Sequence, residues 1–147
     1  MLQRVQTIYL LLAMLTIAGF CFAPGIQYQS LEGSLKNVAI WDVKYFFKGY
    51  LFFINPILLG IAAGLALISI FLYKKRSLQM TLTLLSIVPI LASVAYTLYF
   101  FQTKETALDI LYTPWNALAI LPVIFLVLAY RGIKKDEELI KGLDRLR

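Results

Sequence analysis

Four long stretches of the sequence contain no charged residue. They cover residues 5–31, 49–73, 77–103 and 110–130, and they are 27, 25, 27 and 21 residues long. A helix needs about 20 apolar residues to cross a bilayer. Since 61% of the residues are hydrophobic and only 15% are charged, the composition also differs from that of water-soluble domains. We therefore predict an all-α membrane protein in which a single domain forms a bundle of four transmembrane helices.

The predicted boundaries leave little chain outside the membrane. An outer loop is expected at 24–49 and a cytoplasmic tail at 132–147, and the spans are expected at about 5–23, 50–73, 77–101 and 110–131. Asn55-Pro56 and Thr113-Pro114 are typical helix starts, since proline needs no N–H partner in the first turn. Span two therefore starts either at Pro56 or earlier, with Pro56 bending it, and the sequence leaves both alternatives open.

The outer loop carries a partial strand pattern. Ile26 and Tyr28 alternate with glutamines, residues 32–34 are turn formers, and residues 38–43 alternate again. This pattern predicts a small β-hairpin on the outer membrane face. An isolated hairpin is marginal in water, so it would have to pack against the helix ends.

Basic residues indicate the orientation, because lysine and arginine near span ends stay on the cytoplasmic side. With the amino terminus inside, ten basic residues lie on the inner side and four lie in the outer loops. We therefore expect a multi-pass membrane protein with both termini in the cytoplasm. The net charge of +6 then fits a lipid surface, and no nucleic-acid partner is expected.

Small residues indicate how span two packs. Gly60 and Gly64 form a Gly-x-x-x-Gly pair, a pattern that lets helix backbones approach closely. At 100° per residue the opposite face carries Asn55, Ala62, Ala66 and Ser69. Small residues on both faces predict that span two is central in the bundle or is shared with another subunit. The candidate helix-packing residues are therefore Gly60, Gly64 and Asn55.

One face of span three is lined by hydroxyl groups. It should point into the protein, where hydroxyls find hydrogen-bond partners, and it carries Thr83, Ser86, Ser93 and Thr97. Pro89 and Pro122 each free a carbonyl one turn earlier, which indicates either a kinked packing interface or a hinge beside a small cavity. The candidate contacts for a lipophilic molecule are Asn55, Ser93 and Thr97.

Missing residue types exclude several kinds of chemistry. The chain has no histidine and one cysteine, Cys21, so it has no His-dependent catalysis, no His metal site and no internal disulfide. None of the uncharged spans can carry a proton-relay carboxylate, which argues against a proton-coupled transporter. We therefore expect no enzyme activity, no cofactor and no metal.

The cytoplasmic tail has helical periodicity in its apolar residues, which are Leu139, Ile140, Leu143 and Leu146. Glu137 precedes Lys141 by four residues, an arrangement that supports a helix. The tail and the basic turn between spans two and three could contact anionic lipid or a protein partner. Alternatively, the tail is solvated and its basic residues only set the orientation of the protein. The candidate contact residues are Arg4, Lys74, Lys75, Arg76, Arg145 and Arg147.

The two ends of the chain carry a resemblance. The opening MLQRVQTIYL at 1–10 and the closing RGIKKDEELI at 131–140 and DRLR at 144–147 resemble the bacterial four-span inner-membrane family catalogued as domain of unknown function 4293. The resemblance covers the whole chain and implies topology and compartment, but no catalytic residue. A polar patch suited to protein contact would form if the two ends converge, through Gln3, Arg4, Gln6, Asp144, Arg145 and Arg147.

The sequence thus favours a non-catalytic accessory or scaffold subunit that acts through its cytoplasmic ends and outer loop. Its expected partners are membrane lipids and either another membrane protein or a second copy of the chain. The alternative is a binder or transporter of a small lipophilic molecule, a quinone or a lipid, held near Asn55, Ser93 and Thr97.

Overall fold

The computed structural model describes residues 2–22, 26–29, 35–38, 54–73, 75–104, 110–112 and 118–144. The helices within these ranges are α1 (Leu2–Phe22), α2 (Ile54–Phe71), α3 (Arg76–Leu85), α4 (Ile87–Lys104) and α5 (Ile120–Asp144). The strands are β1 (Ile26–Gln29), β2 (Leu35–Val38) and β3 (Ile110–Tyr112).

Three segments of the described chain are helical, long and apolar enough to cross a membrane. They are Val5–Phe22, Ile54–Phe71 and Arg76–Tyr99, with mean hydropathies of 2.0, 2.2 and 1.9, and the last of them runs through α3 and α4. The first half of α5 is equally apolar, but charged residues begin at Arg131 in the middle of the same helix. The membrane character predicted from the sequence is therefore confirmed by three helices, and α5 is a helix of mixed composition.

Buried residues recur at alternating intervals of three and four along α1, α2 and α5. This spacing keeps one seam of each helix facing its neighbours, as in left-handed helical bundles. On α1 and α5 the seams are Gln6, Leu10, Ala13, Ile17 and Phe20, and Ala119, Pro122, Leu126, Ala129, Ile133 and Asp136. On α2 the seam is Asn55, Leu59, Ala62, Ala66 and Ser69, which contains all four residues predicted for the buried face of span two.

The described helices pack together into a bundle. Helix α1 packs against α5 and α2. Helix α2 also packs against α3 and α4, and α3 packs against α5. Helices α1 and α5 run antiparallel, since Gly19 lies beside Leu118 at one end and Gly132 lies beside Gln6 at the other. The apolar centre of the bundle is formed mainly by α1, α2 and α5.

Prolines mark the helix starts. Pro56, Pro89 and Pro122 each occupy the third residue of a helix, where an N–H partner is not required. Pro89 also explains why α3 and α4 are separate, because the helix is interrupted at Ser86, one turn before it. Pro122 lies in the first turn of α5 and does not kink a longer span.

The loop segments form a three-stranded antiparallel sheet in the order β2-β1-β3. Two of these strands fall in the loop where the sequence predicts a hairpin, with Ile26 opposite Val38. The third strand, with Ile110 opposite Tyr28, comes from a segment that the sequence analysis assigned to span four. The predicted start of span four at residue 110 therefore differs from the structure, because pairing with β1 makes residues 110–112 a strand and α5 begins at Ile120.

The predicted cytoplasmic tail is also not a separate element. Helix α5 continues for 25 residues from its apolar half into the charged segment, and it ends at Asp144. Nothing breaks the helix at Arg131, since no proline follows Pro122 and the next glycine, Gly132, faces a packing partner. The helical periodicity predicted for the tail is confirmed up to Asp144.

Most of the surface of the three spans is apolar and is not covered by the chain itself. Only 28%, 28% and 33% of their residues are buried, and exposed side chains include Leu15, Phe22 and Phe71. Soluble proteins rarely expose contiguous apolar surface of this extent. Exposed apolar faces of this kind are typical of helices that lie in a membrane.

Candidate functional site

A polar cluster joins α2 and α4 at the end of the bundle where α2 begins. We call Asn55, Ser93 and Thr97 the loop-end cluster. The Asn55 amide donates from Nδ2 to Thr97 Oγ1 at 2.8 Å, and Ser93 Oγ donates to Asn55 Oδ1 at 3.1 Å. Thr97 Oγ1 in turn donates to the main-chain oxygen of Ser93 at 2.8 Å. The structure thus brings together the three residues that the sequence analysis selected as lipophile contacts.

The loop-end cluster retains one unused donor. A side-chain amide carries two N–H bonds, and within the described ranges only the bond from Asn55 to Thr97 is made. Asn55 and Ser93 are fully buried, whereas Thr97 is partly exposed. The cluster therefore fixes α2 against α4 and can still donate one hydrogen bond to a carbonyl or ether oxygen.

Gly60 and Gly64 lie on the opposite side of α2 from this cluster. Both are exposed, and a Cβ atom built at either position meets nothing within 4 Å. The pair therefore makes no packing contact within the described chain. Its contact with another subunit stays a prediction.

A second polar cluster lies at the end of the bundle that carries the tail. We call Gln6, Ser69, Arg76, Thr83 and Asp136 the tail-end cluster. Ser69 Oγ and Thr83 Oγ1 lie 2.8 Å apart, and Thr83 Oγ1 also donates to the main-chain oxygen of Gln79 at 2.8 Å. These bonds join α2 to α3, and they give the hydroxyls of span three the inward direction that the sequence predicted.

The other half of the tail-end cluster is centred on Asp136. Gln6 Nε2 donates to Asp136 Oδ2 at 2.6 Å, joining α1 to α5, and both side chains are buried. Arg76 Nη1 donates to the main-chain oxygen of Asp136 at 2.9 Å, joining α3 to α5. The second carboxylate oxygen, Oδ1, is buried and has no hydrogen-bond partner among the described residues.

Gly132 makes this arrangement sterically possible. It lies one helical turn before Asp136, and a Cβ atom there would come within 3.0 Å of Gln6 Cγ. The missing side chain therefore lets Gln6 lie against α5 and reach the carboxylate.

Sequence reasoning missed Asp136 because its neighbours are all charged. The segment from Lys134 to Glu138 has the composition of a solvated helix face. The spacing of residues along α5 could have indicated its burial. Asp136 follows Leu126, Ala129 and Ile133 at the same intervals of three and four residues, and these three residues are buried.

The exposed surface of the tail combines ion pairs with apolar side chains. Lys141 Nζ lies 2.8 Å from Glu137 Oε1, which confirms the predicted pair, and Lys134 lies 4.0 Å from Glu138. Leu139 and Ile140 are 51% and 43% exposed beside these pairs.

The structure describes only some of the residues predicted to contact lipid or a protein partner. Lys75 is exposed, Arg76 is partly buried against α5, and Gln6 is engaged by Asp136. The remaining side chains lie outside the described part of the structure, namely those of Gln3, Arg4, Lys74, Asp144, Arg145 and Arg147. Convergence of the two chain ends stays a prediction.

The described residues include no group of three or more His, Cys, Asp or Glu side chains that could hold a metal ion. Cys21 is partly buried against the apolar core, as expected of a packing residue. The functional groups of the two clusters are thus hydrogen-bonding groups and a single carboxylate.

The sequence as a whole matches one family. Residues 2–146 match the family described as Domain of unknown function (DUF4293). The chain belongs to this family. No curated protein and no solved structure matches the chain. Membership of DUF4293 therefore covers both clusters and all the described helices, and it assigns no activity to them.

Proposed function

We propose that this chain is a four-span protein of the bacterial inner membrane that acts as a non-catalytic accessory or scaffold subunit. Its contacts would be made by the cytoplasmic ends and by the outer loop. The observation that carries the proposal is the unbroken α5, which extends from the apolar bundle into a charged tail that exposes Leu139 and Ile140.

The pairing of α1 with α5 supports a fourth span. Helix α1 is apolar enough to cross a membrane, and α5 follows it from Leu118, beside Gly19, to Gly132, beside Gln6. The stretch from Gln6 to Gly19 is about 20 Å long at 1.5 Å per residue. The apolar half of α5 therefore covers most of the same thickness of the bilayer.

The charge distribution supports cytoplasmic termini, and cysteine labelling tests this orientation. In a Cys21→Ser background, a membrane-impermeant maleimide should label Lys36→Cys in intact spheroplasts, because that residue lies in the predicted outer loop. Lys141→Cys should react only after permeabilisation, because the tail lies inside. Labelling of Lys141→Cys in intact spheroplasts would contradict both the orientation and the even number of spans.

The tail surface supports a protein partner. Leu139 and Ile140 are exposed on a helix whose position is fixed by Gln6 and Arg76 through Asp136. Apolar side chains rimmed by charges are typical of protein–protein contacts. The flanking arginines, Arg145 and Arg147, would steer an acidic partner to this surface.

Native mass spectrometry of the protein purified gently from its own membranes tests the subunit proposal. We expect a protein partner in fixed stoichiometry, and we expect the charge reversal Arg145→Glu/Arg147→Glu to reduce its recovery by about tenfold, equivalent to about 1.4 kcal/mol. The matched control is Lys104→Glu, which reverses a charge at the carboxyl end of α4, outside the cytoplasmic ends and the outer loop, and should retain the partner. A bare chain in the wild type, or unchanged recovery after the double reversal, would contradict the proposal.

The alternative function is binding of a lipophilic carbonyl compound such as a quinone. It is supported by the spare N–H of Asn55, which lies in the buried loop-end cluster beside the partly exposed Thr97. The same mass spectra would then contain one retained small molecule, and Asn55→Leu should remove it while Gly60→Ala on the outer face should not.

A further inference from the structure

Only one of the two oxygen atoms of the Asp136 carboxylate accepts a hydrogen bond from the described residues. Asp136 is 7% exposed, and Oδ2 accepts the short bond from Gln6. Oδ1 is enclosed and accepts no hydrogen bond from the described residues. A buried acceptor without a donor is costly, and the cost is largest when the group is charged.

No described cation neutralises this carboxylate directly. Two lysines on the same helix pair with other carboxylates, Lys134 with Glu138 and Lys141 with Glu137. Lys135 and Arg131 on that helix are exposed, and among the described residues neither forms an ion pair with Asp136. Arg76 uses its guanidinium on the main-chain oxygen of Asp136 and not on the carboxylate. From α1 the facing group is the neutral amide of Gln6.

The surroundings of Asp136 select the class of ligand. Divalent cations such as Ca²⁺ usually bind to several carboxylates, and the described residues bring together no group of three acidic or other metal-binding side chains. One carboxylate beside a neutral amide balances a single positive charge. The amide carbonyl of Gln6 is also the type of oxygen that hard cations prefer.

We propose that Asp136 Oδ1 binds one small monovalent cation, Na⁺ or K⁺, at the tail end of the bundle. The ion completes the junction of α1, α3 and α5 by neutralising the carboxylate that Gln6 holds in place. Its effect is to stabilise the folded bundle, since a ligand that binds the folded state alone raises its stability.

Thermal unfolding of the full-length protein in detergent tests this site. The melting temperature is measured in chloride salts of sodium, potassium and N-methylglucamine at equal ionic strength and pH. In the wild type we expect at least one small cation to raise it by about 3 °C or more in a saturable manner, relative to the bulky organic cation.

Two variants make the test specific. Asp136→Asn removes the charge with almost no change in shape, and it should abolish the difference between the salts. Glu138→Gln removes an exposed carboxylate from the same helix and should keep the difference. The wild-type salt series is informative even if Asp136→Asn fails to fold.

Two outcomes would overturn the proposal. One is equal melting temperatures in all three salts for the wild type. The other is a salt response in Asp136→Asn that equals that of the wild type.

Discussion

Gly132→Val is expected to destabilise the bundle by about 3 kcal/mol, the largest effect of a single substitution in the tail half of α5. A Cβ atom at this position comes within 3.0 Å of Gln6 Cγ, so the valine side chain must push α1 away from α5. Overpacking alone costs about 1–3 kcal/mol. Loss of the Gln6 bond adds about 1–3 kcal/mol, because it leaves Asp136 Oδ2 without its buried donor.

Gly142→Ala is the matched control on the same helix. A Cβ atom there meets nothing within 4 Å, and alanine is favoured over glycine in a helix by about 1 kcal/mol. The control should therefore be neutral or slightly stabilising in the same thermal or denaturant titration. Equal stability of Gly132→Val and the wild type would show that the contact between Gln6 and Gly132 is not made.

Ala66→Leu is expected to have a comparable or larger effect in the middle of the bundle. Ala66 is fully buried on α2, in the seam that continues through Ala62 and Ser69. Three additional carbon atoms must separate α2 from its neighbours, at a cost of about 3 kcal/mol. We expect Ala62→Leu/Ala66→Leu to lose the monodisperse peak in size-exclusion chromatography.

Gly64→Leu is the control on the outer face of the same helix. A Cβ atom at this position meets nothing within 4 Å, so the stability of the single chain should fall by no more than about 0.5 kcal/mol. Light scattering on the same samples tests the predicted subunit contact of Gly60 and Gly64. A smaller assembly mass for Gly64→Leu would identify that face as an interface between copies, whereas a stability loss as large as that of Ala66→Leu would contradict the observed orientation of α2.

The buried faces of the spans could be predicted from the sequence because helical geometry is local. The spacing of Asn55, Ala62, Ala66 and Ser69 places them on one side of any regular helix, and the structure buries all four. The inward face of span three follows from the same rule, since Thr83, Ser86 and Ser93 are fully buried.

The start of α5 could not be predicted in this way. Residues 110–112 are uncharged and apolar enough for a span, and only their pairing with β1, which is more than 80 residues earlier in the chain, makes them a strand. The burial of Asp136 could not be predicted for a related reason. Its burial depends on Gln6, 130 residues away, and no local pattern of charges encodes that contact.

The continuity of α5 has a mechanical consequence. An α-helix of 25 residues is about 37 Å long, and it bends little where no proline or insertion interrupts its hydrogen bonds. A torque applied to the exposed Leu139 would therefore rotate Pro122, in the first turn of the helix, through nearly the same angle.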